Sequence, residues 1–146
     1  MVQDIIKRFP EQFGFEPSIQ NGEALFKKRF SHYVVLGMGG SNIASELVRV
    51  ARSDAPLIIH RDYGLPEFLK NEWESSLFIA SSYSGNTEET LSGFALAGKE
   101  GLHRIAVSIG GKLLEEAKKE HAPYIQLPDM NLEPRMALGL SAMALM

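Results

Sequence analysis

The chain has 146 residues, 45% of them hydrophobic and 23% charged, with a formal net charge of −3 and no cysteine. That length suits one domain, which buries roughly 68–70% of its unfolded surface without staples. The lack of cysteine excludes disulfides, thiol catalysis and cysteine-based metal sites. No basic stripe gives the electrostatic footprint of a nucleic-acid binder. No stretch reaches the ~20 apolar residues of a membrane span, and the first residues lack the long apolar core of a signal peptide. The expectation is a soluble cytoplasmic protein with neither nucleic-acid nor membrane partners.

Residues 1–30 read as a helical lead-in. Val2, Ile5, Ile6 and Phe9 fall at helical spacing up to Pro10, and Leu25, Phe26 and Phe30 repeat the pattern. An α/β core follows over 31–128. Its first strand is His32-Tyr33-Val34-Val35-Leu36, ending at the glycine loop Gly37-Met38-Gly39-Gly40-Ser41. The next helix carries Ile43, Leu47 and Val50 on one side, with Ala44, Val48 and Ala51 beside them. A second strand, Leu57-Ile58-Ile59, ends in Arg61-Asp62-Tyr63-Gly64-Leu65-Pro66. A looser segment, 67–76, leads to a third strand, Leu77-Phe78-Ile79-Ala80.

That strand hands over to Ser81-Ser82-Tyr83-Ser84-Gly85-Asn86-Thr87-Glu88-Glu89 and a helix with Leu91, Phe94, Ala95 and Gly98 toward the core. A fourth strand spans 104–108. A helix over 112–120 turns Leu113, Leu114 and Ala117 to one side, and a fifth strand spans 123–127. Residues 129–146 form a loop and a terminal helix that is apolar on nearly every side. Strands alternating with helices, and apolar almost throughout, predict a parallel sheet with helices on both faces. In such folds ligands sit beyond the carboxyl ends of the strands, and all the polar loops above fall there.

The stretch 81–89 is the strongest functional signal. A strand-to-helix junction offers free backbone N–H groups and a positive helix end, and its hydroxyls add donors. It reads as an anion site or as a polar loop in which Thr87 or Asn86 caps the helix. The glycine loop alone could pass for a dinucleotide fingerprint with Asp62 on the ribose, but Asn42 stands where the third glycine belongs. Read together, the two loops suggest one phosphate between two helix starts, held by Ser41, Ser82, Ser84 and Thr87. Glu88 and Glu89 fit a first helical turn and point away. The four histidines, His32, His60, His103 and His121, show no ligand spacing, so no metal is expected.

Four motifs occur in order: Gly-Met-Gly-Gly-Ser at 37–41, Arg61-Asp62-Tyr63 with Leu65-Pro66, Ser82 to Thr90, and Pro134-Arg135-Met136-Ala137-Leu138-Gly139. Together they resemble the first half of the bifunctional phosphoglucose/phosphomannose isomerases, which are built from two sugar isomerase (SIS) domains. The resemblance implies a three-layer α/β/α, flavodoxin-like, five-stranded parallel sheet. It implies aldose–ketose isomerisation of glucose 6-phosphate, and of mannose 6-phosphate, without metal or organic cofactor. Ser41, Ser82, Ser84 and Thr87 match positions that hold the sugar phosphate, and Gly40 matches backbone beside the sugar. Arg135 matches a catalytic arginine that stabilises charge on the sugar oxygens.

The base and the ring-opening group are implied to lie in a second SIS domain, outside this chain, so the chain alone is expected to turn over poorly. The apolar segment 136–146 is expected to need cover from that second domain or from a second copy of the chain. Two alternatives are a non-catalytic sugar-phosphate-sensing SIS module and a nicotinamide-dependent enzyme.

Overall fold

The computed structural model describes residues 2–146; of the lead-in, Met1 lies outside the described residues. Strand β1 is Ile19–Gln20, β2 His32–Leu36, β3 Leu57–His60, β4 Ser76–Ser81, β5 His103–Ser108 and β6 Tyr124–Gln126. They form a six-stranded sheet in the order β1-β6-β5-β4-β2-β3. The five strands from β2 to β6 are mutually parallel, and β1 alone runs antiparallel, Ile19 opposite Ile125. The sheet therefore has the expected five parallel strands plus one short edge strand drawn from the lead-in. The chain order reverses between β2 and β4, which makes the carboxyl ends of those two strands the topological switch point.

Helix α1 is Val2–Arg8, α2 Gly40–Ala51, α3 Glu88–Lys99, α4 Gly111–Lys119 and α5 Leu138–Leu145. Alternation along β4 divides the core. Leu77 and Ile79 face Ile125, Leu140 and the partly buried Phe15 and Phe30 of the lead-in. Phe78 packs instead with Val34, Leu36, Leu69, Trp73 and Ala97, and Ala80 with Phe94, Leu113 and Leu114. Helices α2 and α5 meet through Ala44, Val48 and Ala142. Small residues at that crossing let the two helices approach closely. The larger residues of α2 are left outside, with Ile43 52%, Leu47 44% and Val50 79% exposed.

Three local expectations shift. Residues 22–28 form successive turns rather than a helix, with Leu25 N–H on Gly22 O and Lys28 N–H on Leu25 O. So short a segment does not repay helix nucleation once Leu25 and Phe30 find the sheet. Helix α3 buries Thr90, Gly93, Phe94 and Ala97, while Ala95 is exposed, because Gly93 packs against Leu36 and Gly64. The looser segment is a 3₁₀ helix, Glu67–Ser75, in which Trp73 Nε1–H donates to Pro66 O at 3.1 Å.

Candidate functional site

Two polar loops meet at the switch point. The first runs from Gly37 to Ser41 into α2, turning at Gly39 with φ +56°. The second runs from Ser82 to Thr87 into α3, turning at Gly85 with φ +79°. Both angles lie where a side chain is disfavoured. Gly85 is also enclosed, since a Cβ there would fall 2.0 Å from Gly110 O.

The serine loop is held from within. Ser82 is buried, and its Oγ lies 2.9 Å from Thr87 Oγ1 and accepts the Gly85 N–H at 3.1 Å. Ser84 is exposed and accepts the Asn86 N–H at 3.2 Å. The loop after β5 supports it from behind, with Ser108 Oγ donating to Tyr83 O at 3.1 Å and Lys112 N–H donating to Asn86 Oδ1 at 3.1 Å. Tyr83 turns inward, and burial pushes its hydroxyl pKa up.

Thr87 occupies the N-cap of α3 but makes no side-chain cap bond, because its hydroxyl is turned to Ser82. Gly39 at the N-cap of α2 has no side chain to offer. Both helices thus present their first N–H groups uncapped toward the same strand ends, as an anion site requires. Ser41 is buried in the first turn of α2. Glu88 stands clear: it is exposed and accepts from Tyr63 Oη–H at 3.2 Å. That bond, then the charge of Glu89, raises the Tyr63 pKa.

Gly40 and Arg135 come together through backbone. A Cβ on Gly40 would lie 2.8 Å from Arg135 N and 2.9 Å from Pro134 C. The Arg135 guanidinium is directed elsewhere: Nε and one terminal nitrogen bond Glu133 Oε2 at 3.1 and 3.0 Å, with the arginine side chain 73% exposed. It borders a cavity of about 560 Å³ shared with Arg8 and Gln12. The structure thus assembles Gly40, Ser41, Ser82, Ser84 and Thr87 around the two helix starts and brings Arg135 beside them by its main chain only.

Of the residues of the nicotinamide reading, Asp62 is engaged locally, its Oδ1 accepting the Tyr63 N–H at 2.7 Å. Asn42 is buried beside Gly37, and its Oδ1 has no hydrogen-bond partner among the described residues. Three of the four histidines are engaged elsewhere: His32 with Glu72 at 2.6 Å, His60 with Tyr63 O at 3.1 Å, and His103 with Lys28 at 2.8 Å. Sequence reasoning passed over Gln12 and Ser108. Ser108 could have been found as another hydroxyl at a strand end.

No protein-family model matches the chain. Curated proteins do. A bifunctional phosphoglucose/phosphomannose isomerase of Caldicellulosiruptor bescii is 46% identical over 116 residues, covering 77% of this chain and 33% of the relative. Its counterpart in Thermoplasma acidophilum is 38% identical over 138 residues, covering 94% of this chain and 40% of the relative.

The chain belongs to the bifunctional phosphoglucose/phosphomannose isomerase family.

It spans about a third to two fifths of the length of these family members. Among solved structures, the sugar isomerase domain of an RpiR transcription factor from Sphaerobacter thermophilus superposes with a TM-score of 0.64 at 17% identity, covering 99% of this chain and 84% of that one. A hypothetical protein of Thermus thermophilus gives 0.63 at 22% identity, covering 97% of this chain and 37% of that one. These likenesses show the fold: this family's chain carries the SIS architecture.

Proposed function

We propose that this chain is the sugar-phosphate-binding half of a cytoplasmic aldose–ketose isomerase that interconverts glucose 6-phosphate, and mannose 6-phosphate, with fructose 6-phosphate. The observation that carries the reading is the pair of uncapped helix starts at the switch point, with the Ser82–Thr87 hydroxyl pair between strand and helix. Backbone N–H groups and hydroxyls of Ser41, Ser82, Ser84 and Thr87 hold the phosphate. Gly40 places its backbone beside the sugar at the α2 start. A base removes the proton at C2 of the open-chain aldose, the electrons move to the carbonyl oxygen as an enediolate, and the proton returns at C1. Arg135 supplies positive charge to those oxygens once its guanidinium leaves Glu133.

The base and the ring-opening group belong to a second SIS domain, so this chain is the first half of a two-domain arrangement. That domain, or a second copy of the chain, covers residues 136–146. No cofactor takes part. The test is a titration with glucose 6-phosphate alongside an assay for fructose 6-phosphate. Saturable binding with little or no turnover is expected. Substantial turnover by the purified chain would show that the other half is dispensable.

One observation favours a second reading, a non-catalytic sensing module: the Arg135 guanidinium rests on Glu133 rather than on the serine loop. Arg135→Ala in a two-domain protein separates the two. An isomerase keeps phosphate binding and loses turnover, whereas a sensor has no turnover to lose.

A further inference from the structure

The side chain of Gln12 is almost wholly buried, at 2% exposure, on the 3₁₀ segment Phe9–Gly14. Its Nε2–H donates to Met136 O at 2.7 Å. Its Oε1 accepts the Gly139 N–H at 2.9 Å and the Leu140 N–H at 3.3 Å. Helix α5 has no side-chain cap of its own, so Gln12 satisfies two of its orphan donors from 127 and 128 residues away. A buried amide bonded at both ends fixes what it touches.

What it touches is the turn Pro134–Met136, which carries Arg135. Gly40 presses that turn on one side, with room for nothing larger than hydrogen. Gln12 holds it on the other through the Met136 carbonyl. The Arg135 backbone is thereby clamped between the glycine loop and the lead-in, while its exposed head, among the described residues, is bonded to Glu133. A fixed base under an exposed head, held by one surface ion pair, sets the point from which the guanidinium can turn.

We propose that Gln12 is a positioning residue for Arg135, setting the backbone from which the arginine reaches the bound sugar. This rests on the role given to Arg135 in the proposed isomerase. Displacing such a group by about 1 Å is enough to lose most of its effect.

Gln12→Glu separates the two halves of the contact. The carboxylate keeps both acceptor bonds at the α5 start, where negative charge is favoured, but it loses the donor to Met136 O and opposes that carbonyl. The experiment is an NMR titration of the whole chain, unmodified and as Gln12→Glu and Gln12→Ala, with inorganic phosphate and then glucose 6-phosphate. Serine-loop amides are expected to report the same phosphate affinity in all three chains, and α5 amides the same exchange in Gln12→Glu. The Arg135 Nε–H response to glucose 6-phosphate should disappear in both variants, with affinity for that ligand lower by about five- to tenfold.

An unchanged Arg135 response in folded Gln12→Glu would overturn the proposal and leave the isomerase reading standing. A silent Arg135 in the unmodified chain would overturn both. Whether or not the variants fold, the Gln12 side-chain amide protons of the unmodified chain should exchange at least about tenfold more slowly than those of the exposed Gln3. Equal rates would overturn the clamp.

Discussion

Ser82 joins a local structural role to the phosphate-binding role proposed for it. It ties Thr87 and Gly85, so Ser82→Ala removes two bonds from a buried turn. A loss of about 1–3 kcal/mol in stability is expected by chemical denaturation, together with weaker glucose 6-phosphate binding. Gly40→Ala is expected to cost about 1–3 kcal/mol through overpacking against the Pro134–Arg135 backbone, read as a lower melting temperature. His103 sets a pH dependence. Burial first, and the Lys28 ammonium second, hold its pKa below the ordinary 6.5. The unfolded chain therefore binds that proton more readily than the folded one. Stability is fully present above pH 6.5 and falls as pH drops from there through the lower folded value. Melting temperatures across that window should fall with acid, and His103→Gln should flatten the slope.

At the scale of elements, β2 to β6 were legible because strands buried on both faces are written as short apolar runs. The serine loop was legible because hydroxyls and glycine interrupt such a run at its carboxyl end. What escaped depends on distant partners. Strand β1 is only two residues long and exists by pairing with β6. The α3 face rotates because Gly93 packs on Leu36, a neighbour no periodicity names. Gln12 reads as an ordinary polar residue, since its partners are main-chain groups more than a hundred positions away. Helix α5 is the element most dependent on that buried seam. Leu140 is 1% exposed within the cluster built on Leu77, Ile105 and Ile125. Leu140→Ala is expected to cost about 2–5 kcal/mol, measured by denaturant unfolding.

At the scale of the molecule, the α2–α5 side is the unfinished one. Leu138, Met143 and Leu145 are half-buried and Met146 is 62% exposed, beside the outward Ile43, Leu47 and Val50 of α2. One layer of helices on a sheet leaves such a surface uncovered, and it is here that the proposed second SIS domain, or second copy of the chain, would pack. Light scattering of the isolated chain at high concentration should therefore report self-association. A monomer with α5 ordered would count against it. No helix among the described residues is long and apolar enough to cross a membrane.

The central claim is that the two helix starts at the switch point hold the phosphate of a hexose. Calorimetric titration with glucose 6-phosphate, inorganic phosphate and glucose, on the unmodified chain and on Ser84→Ala, tests it directly. Ser84 is exposed, so its replacement leaves the core intact. The account predicts that both phosphorylated ligands bind with a Kd on the order of 1 mM, that glucose does not, and that Ser84→Ala weakens binding about tenfold. Equal binding of glucose, or affinity untouched by Ser84→Ala, would contradict it.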